Sequence, residues 1–171
     1  MSVSTQGRVG RHRVFLWLSF SISALVIGAD QTSKYWIRSS LDVGESLPLE
    51  GFFRLTHVQN TGAAFGLFTS QTFLLTIVSI MAILALFIFI RYQLMRNAWA
   101  SLAVGLLLGG SVGNLADRLR LGHVTDFIDV GLQNGFRFYA FNVADSAITM
   151  GAIALALILI LSSRKSSASP A

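Results

Sequence analysis

A chain of 171 residues holds one domain, and 53% hydrophobic against 12% charged residues leaves too little polar surface for a soluble one. The absence of cysteine excludes disulfides, thiolate metal sites and cysteine nucleophiles. A formal charge of +5 raises nucleic acid as a partner, but the Lys and Arg residues cluster at the ends of apolar runs, so no nucleic-acid partner is expected.

Four segments approach the roughly 20 apolar residues that a helix needs to cross a hydrocarbon core of about 30 Å. The first, residues 14–29, is a little short and must borrow a flanking turn. Arg8, Arg11 and Arg13 precede it as in a cleavable signal peptide, but Asp30, Gln31 and Lys34 replace the small-residue cleavage pattern and three more spans follow. Residues 30–71 form an outer segment in which Phe53, Leu55, His57 and Gln59 alternate with Phe52, Arg54, Thr56 and Val58, the period of a half-buried strand. Turn signals at residues 42–45, 50–51 and 60–62 bound the strands.

The second span, residues 72–90, and the third, residues 97–116, carry no charge. In the third, Gly105, Gly109, Gly110 and Gly113 let helix backbones approach closely in lipid. Residues 117–140 return the chain through expected strands at 123–130 and 136–141, around a Gln133-Asn134-Gly135 turn. The fourth span, residues 141–161, carries one charge, Asp145, and the Ser-rich tail 163–171 is expected to be disordered. The expected fold is an all-α membrane protein of four transmembrane helices, a single integral membrane domain over residues 1–162, with a small β-sheet on the outer face.

Seven cations, Arg8, Arg11, Arg13, Arg91, Arg96, Arg164 and Lys165, stand unopposed on one face. The other face holds the remaining six cations, Lys34, Arg38, Arg54, Arg118, Arg120 and Arg137, and all eight acidic residues. The dense positive face is expected to be cytoplasmic, with both termini inside and every carboxylate at or beyond the outer leaflet.

Asp30, Asp117 and Asp145 sit where helices meet that outer face. A charge at membrane depth costs roughly 2.5 kcal/mol or more, so such residues are paired or functional. Asp145 suits a capping box with Asn142, whose side chain would cap the fourth helix, and it suits catalysis equally. Asp126 is the candidate partner; in a strand it shares a face with Val124 and Ile128, while Thr125, Phe127 and Asp129 take the other. Two carboxylates brought close share a proton, and such a pair does acid–base work on an amide.

Other chemistries fit less well. Ser111 and Ser146 are expected near the outer face, where the only histidines are His57 and His123, neither at a triad spacing, and a Ser–Lys pair would have to use Lys34. No H-E-x-x-H or comparable pattern exists, so neither a metal nor another cofactor is expected. A proton-relaying transporter would lack the inner half of its relay, since the acids gather at one face; a purely structural scaffold is the third alternative.

Five motifs in order, Asp30-Gln31-Thr32-Ser33-Lys34, Asn60-Thr61-Gly62-Ala63-Ala64-Phe65-Gly66, Gly113-Asn114-Leu115-Ala116-Asp117-Arg118, Val124-Thr125-Asp126-Phe127 and Phe141-Asn142-Val143-Ala144-Asp145-Ser146, resemble those of the lipoprotein signal peptidase, or type II signal peptidase, family. The resemblance covers about residues 30–150. It implies a metal-independent intramembrane aspartic endopeptidase, a multi-pass protein of the bacterial cytoplasmic (inner) membrane with its site near the outer face. Its substrates and partners would be diacylglyceryl-modified prolipoproteins, cut on the amino side of the lipobox cysteine, and membrane phospholipid; a monomer is expected to suffice. Asp126 and Asp145 would be the catalytic pair. Asn60, Asn114, Arg118 and Asn142 would line the site and hold substrate backbone, with Asp30 and Asp117 supporting. The outer segments would supply the small sheet and a loop or short-helix clamp. Tyr139 stands where the family often has Pro, which leaves the course of the strand entering the fourth helix open.

Overall fold

A computed structural model describes residues 5–62, 71–91, 97–132 and 135–167. Residues 63–70, which include Ala63-Ala64-Phe65-Gly66 and part of the expected clamp, lie outside these ranges, as do Gln133, Asn134 and the last four residues of the tail.

The chain folds into four helices, α1 (Thr5–Ser40), α2 (Thr72–Arg91), α3 (Ala98–Leu121) and α4 (Val143–Ser167), with three strands, β1 (Ser46–Leu47), β2 (Phe53–Asn60) and β3 (Val124–Val130). Each helix contains a stretch long and apolar enough to cross a membrane: Arg13–Ser40, Thr72–Ile90, Ala98–Leu121 and Val143–Ser163. The expected architecture of four spans and a small sheet is the observed one.

Three helices run past the ends that hydropathy suggested. α1 continues through Asp30, Gln31 and Lys34 to Ser40, because residues 30–40 contain neither Gly nor Pro to break it and its charged side chains find partners on α3. α3 continues through Asp117 and Arg118 to Leu121, where Gly122 at φ 77° closes it by donating its N–H to the Arg118 carbonyl at 3.1 Å. α4 extends to Ser167, past the 161 end expected for the fourth span. Charge ends an apolar run; it does not end a helix.

α3 is the buried centre of the bundle, and its glycines make that possible. A Cβ at Gly109 would lie 2.7 Å from Val26 Cβ on α1, and one at Gly113 would lie 2.6 Å from the Asp30 carboxylate. Only a bare backbone fits there. Farther along, Ile90, Val104 and Leu108 join α2 to α3, with Leu16 of α1 packed against them.

The sheet order is β1-β2-β3, all antiparallel, with Val58 opposite Asp126 and Asn60 opposite Val124. It is fastened to the helical ends by Ile37, Leu41 and Phe127, against which Leu55, Ile128 and Val143 pack. The turn expected at residues 42–45 is present: Glu45 N–H donates to the Asp42 carbonyl at 2.9 Å, and Gly44 takes φ 89°. The expected strand at 136–141 is not formed. That segment runs beside β3 through isolated bridges, Ile128 with Phe141 and, just past the strand, Gly131 with Arg137, and through the Phe138 N–H donated to the Val130 carbonyl at 2.8 Å. The Phe141 carbonyl accepts N–H groups of both Phe127 and Ile128, so the chain leaves the sheet edge there and turns directly into α4. This fixes the course that Tyr139 had left open.

Candidate active site

The start of α4 forms the expected capping box. Asn142 accepts the Asp145 N–H on its Oδ1 at 2.8 Å, and Asp145 Oδ2 accepts the Asn142 N–H at 3.2 Å. The same Asn142 side chain does a second task, since its Nδ2 donates to Asp126 Oδ1 at 2.6 Å and to Asn114 Oδ1 at 3.2 Å. One fully buried amide therefore joins β3, α3 and α4, and it ties the two aspartates together.

Each carboxylate has a further donor. Asp126 Oδ2 accepts from Asn60 Nδ2 at 2.8 Å, and Asn60 is itself fixed by accepting the Gly62 N–H on Oδ1 at 2.8 Å. Asp145 Oδ1 accepts from Asn114 Nδ2 at 2.8 Å. Asn60, Asn114, Arg118, Asp126 and Asp145 all line one cavity of about 450 Å³, whose remaining wall includes Val124, Tyr139, Phe141, Ile148 and Met150. Arg118 reaches across to α2, where its Nη1 donates to Ser79 Oγ at 3.4 Å. Asn142 departs from the expectation that it lines the site: it has no exposed surface, because its amide is consumed by Asp126 and Asn114 behind the cavity wall.

Two aspartates three residues apart on β3 meet opposite fates. Burial pushes the Asp126 carboxyl up and the nearby Asp145 charge pushes it further, while donors from Asn60 and Asn142 and the Lys34 charge pull it back, leaving it at about 7. Asp129 is also raised by burial, but Arg137 and Arg54 outweigh that and hold it below the ordinary carboxylate range. Arg54 Nη2 lies 2.6 Å from Asp129 Oδ2 and Arg137 Nε lies 2.9 Å from Oδ1. Val124 and Asp126 share the cavity, as their strand alternation suggested, while Thr125 and Asp129 engage Arg38, Arg54 and Arg137.

Asp30 and Asp117 lie behind the site, where they flank a fully buried Lys34 at 2.9 and 3.2 Å. Lys34 also donates to Asn114 Oδ1 at 2.8 Å. In the sequence Lys34 stands out as a flanking cation, as part of the Asp30–Lys34 motif and as the lysine a Ser–Lys pair would need, but not as a partner of the aspartates. The available signal was the four-residue spacing from Asp30, which puts both on one helix face. His57, within β2, ties the strand to the residue that follows α1 through Nδ1, 2.9 Å from the Leu41 carbonyl.

Four apolar helices with a linked, buried pair of carboxylates beside a cavity at one end define a membrane-embedded protein equipped for acid–base chemistry of the aspartic-hydrolase kind. The family model described as signal peptidase (SPase) II matches residues 22–161, and the chain belongs to that family of aspartic peptidases. It is 43% identical over 151 residues to a lipoprotein signal peptidase of Dehalococcoides mccartyi, covering 86% of this chain and 91% of that one. A lipoprotein signal peptidase of Pseudomonas syringae pv. tomato is 39% identical over 155 residues, covering 88% and 87%. Among solved structures, a bacterial membrane enzyme determined by the in meso method at 2.3 Å superposes with a TM-score of 0.80 at 31% identity, covering 90% of this chain and 93% of that one. A second, at 1.9 Å, gives 0.73 at 34% identity, covering 82% and 91%.

Proposed function

We propose that this peptidase removes signal peptides from bacterial prolipoproteins whose lipobox cysteine carries a diacylglyceryl group, cutting on the amino side of that cysteine, with Asp126 and Asp145 as the catalytic pair. The observation that carries this reading is the Asn142 amide, whose side chain and backbone N–H hold one carboxylate each. The pair shares one proton. Its ionised member takes a proton from water as the water oxygen bonds to the scissile carbonyl carbon, and its protonated member hydrogen-bonds the carbonyl oxygen. The tetrahedral intermediate then collapses, the C–N bond breaks, and the departing amine takes up the proton.

Asn60, Asn114 and Arg118 supply polar contacts for substrate backbone along the cavity wall, with Asn142 behind them and Asp30 and Asp117 supporting. Ile148 and Met150 on α4 make the neighbouring wall apolar, which suits a diacylglyceryl group arriving from the lipid. The charge asymmetry supports an orientation in the cytoplasmic (inner) membrane with both termini inside and the site near the outer face.

The test is cleavage of one diacylglyceryl-modified prolipoprotein by purified protein in detergent. Asp126→Asn and Asp145→Asn should each abolish cleavage while the protein still inserts and unfolds cooperatively, and a chelator should leave the wild-type rate unchanged. Cleavage retained by either variant refutes the pair.

A further inference from the structure

We propose that Lys34 is a positioning residue for this reaction, the hub that sets the spacing of the two aspartates and the orientation of the Asn114 amide between them. The inference rests on the reading of Asp126 and Asp145 as the catalytic pair.

A lysine with no exposed surface inside a helical bundle is costly unless all its donors are used, and here they are used on three different groups. Two of them lead to the aspartates by matching routes. Lys34 holds Asp30 Oδ2 at 2.9 Å, and Asp30 Oδ1 accepts the backbone N–H of Ala144 at 3.0 Å, one residue before Asp145. Lys34 holds Asp117 Oδ2 at 3.2 Å, and the same oxygen accepts the backbone N–H of Thr125 at 3.0 Å, one residue before Asp126. The backbone at each member of the pair is thus pinned to one ammonium group.

The third donor acts on side-chain orientation. An ammonium group has no acceptor, so the Asn114 atom 2.8 Å from it must be the oxygen, and the Asn114 NH2 must then face Asp145 Oδ1, also at 2.8 Å. A flipped Asn114 would set its NH2 against both Lys34 and Asn142 Nδ2 and its oxygen against a carboxylate. Without the cation, one of these obstacles disappears and the two pinned backbones lose their charged anchor, leaving Asp30 and Asp117 bridged by the neutral Gln31 amide, whose Nε2 lies 3.1 Å from each. The charged groups around Lys34 are Asp30 and Arg38 on α1, Asp117 on α3, Asp126 on β3 and Asp145 on α4; Arg38 lies 3.9 Å from Asp117 and balances the second acid.

Lys34→Met keeps the length and removes charge and donors. Its kcat on the diacylglyceryl-modified substrate should fall on the order of 10- to 100-fold with KM little changed, the scale of a misplaced reacting group. The alkaline limb of its pH–rate profile should move to higher pH, because a cation that favours ionised Asp126 is gone. Since the single change leaves Asp30 and Asp117 uncompensated, Lys34→Met/Asp30→Asn is measured beside it. Asn at 30 keeps an oxygen for the Ala144 N–H, and Asp117 keeps Arg38, so this charge-balanced protein should fold and show the same slow turnover and shifted limb. Wild-type kcat in a folded form of either variant, or a loss confined to KM, overturns the inference. Asp126→Asn is the control: if it is inactive while Lys34→Met is unaffected, the positioning role alone is lost. If Asp126→Asn cleaves, the aspartate pair falls and this inference falls with it.

Discussion

Asn142 performs a helix-capping task and a site-organising task with one side chain, and substitution can separate them. Asn142→Ala removes the cap on the Asp145 N–H, worth about 1 kcal/mol, and strips a buried donor from Asp126, worth about 1.5–3 kcal/mol for a charged acceptor. The variant should therefore lose about 2.5–4 kcal/mol. Asn142→Ser restores the cap, because a serine hydroxyl accepts from the same N–H, but it is too short to reach Asp126 and Asn114 across the 2.6 and 3.2 Å contacts that the amide spans. Serine should recover about 1 kcal/mol, which is about 2–4 °C in Tm for a protein of this length. It should recover none of the activity, since the tie between Asp126 and α3 stays broken; both variants should lose cleavage on the order of 10- to 100-fold. The assay is thermal unfolding in detergent alongside cleavage of a lipidated substrate. A serine variant with wild-type cleavage refutes the claim that the amide organises the pair, and one no more stable than the alanine variant refutes the capping role.

The two aspartates of β3 should respond to pH in opposite ways. With Asp126 at about 7, cleavage should decline as the pH rises through that value and the shared proton is lost. Because this folded carboxyl is raised above its unfolded value near 3.8, it contributes stability that is fully present at low pH and lost as pH rises through about 7, so Asp126→Asn should flatten stability across that window in a pH series of unfolding curves. Asp129 runs the other way: held below its ordinary range, it stabilises at neutral pH and loses that contribution as pH falls through its folded value. Asp129→Asn should cost about 1–3 kcal/mol by loosening Arg54 and Arg137, yet leave most cleavage intact, since Asp129 is not in the cavity wall; a variant that is stable and inactive contradicts this.

Much of the site was legible in one dimension because its devices are local. A capping box needs only Asn142 and Asp145 three residues apart, and the place of Asp126 between spans rather than within one follows from the apolar runs that bracket its loop. The position of Lys34 was not legible in the same way. Hydropathy treats a lysine after an apolar run as the end of a span, whereas the helix continues past it and its ammonium is neutralised by an acid 83 residues away in sequence, Asp117, as well as by its own neighbour Asp30. The segment 136–141 misled for a similar reason. Its residues suit a strand, but the tie of the Phe141 carbonyl to two successive N–H groups pulls the chain off the sheet edge.

Composition and periodicity alone determined that this chain lies in a membrane, how many times it crosses, and that its acids gather at one end, since partitioning into lipid depends on the summed hydrophobicity of a segment and on little else. Only the tertiary structure decided which acids meet. Asp126, Asp145, Asn60 and Asn114 come from four different elements, and hydrogen bonds that act over about 3 Å can be read only after helices and strands have been packed against one another.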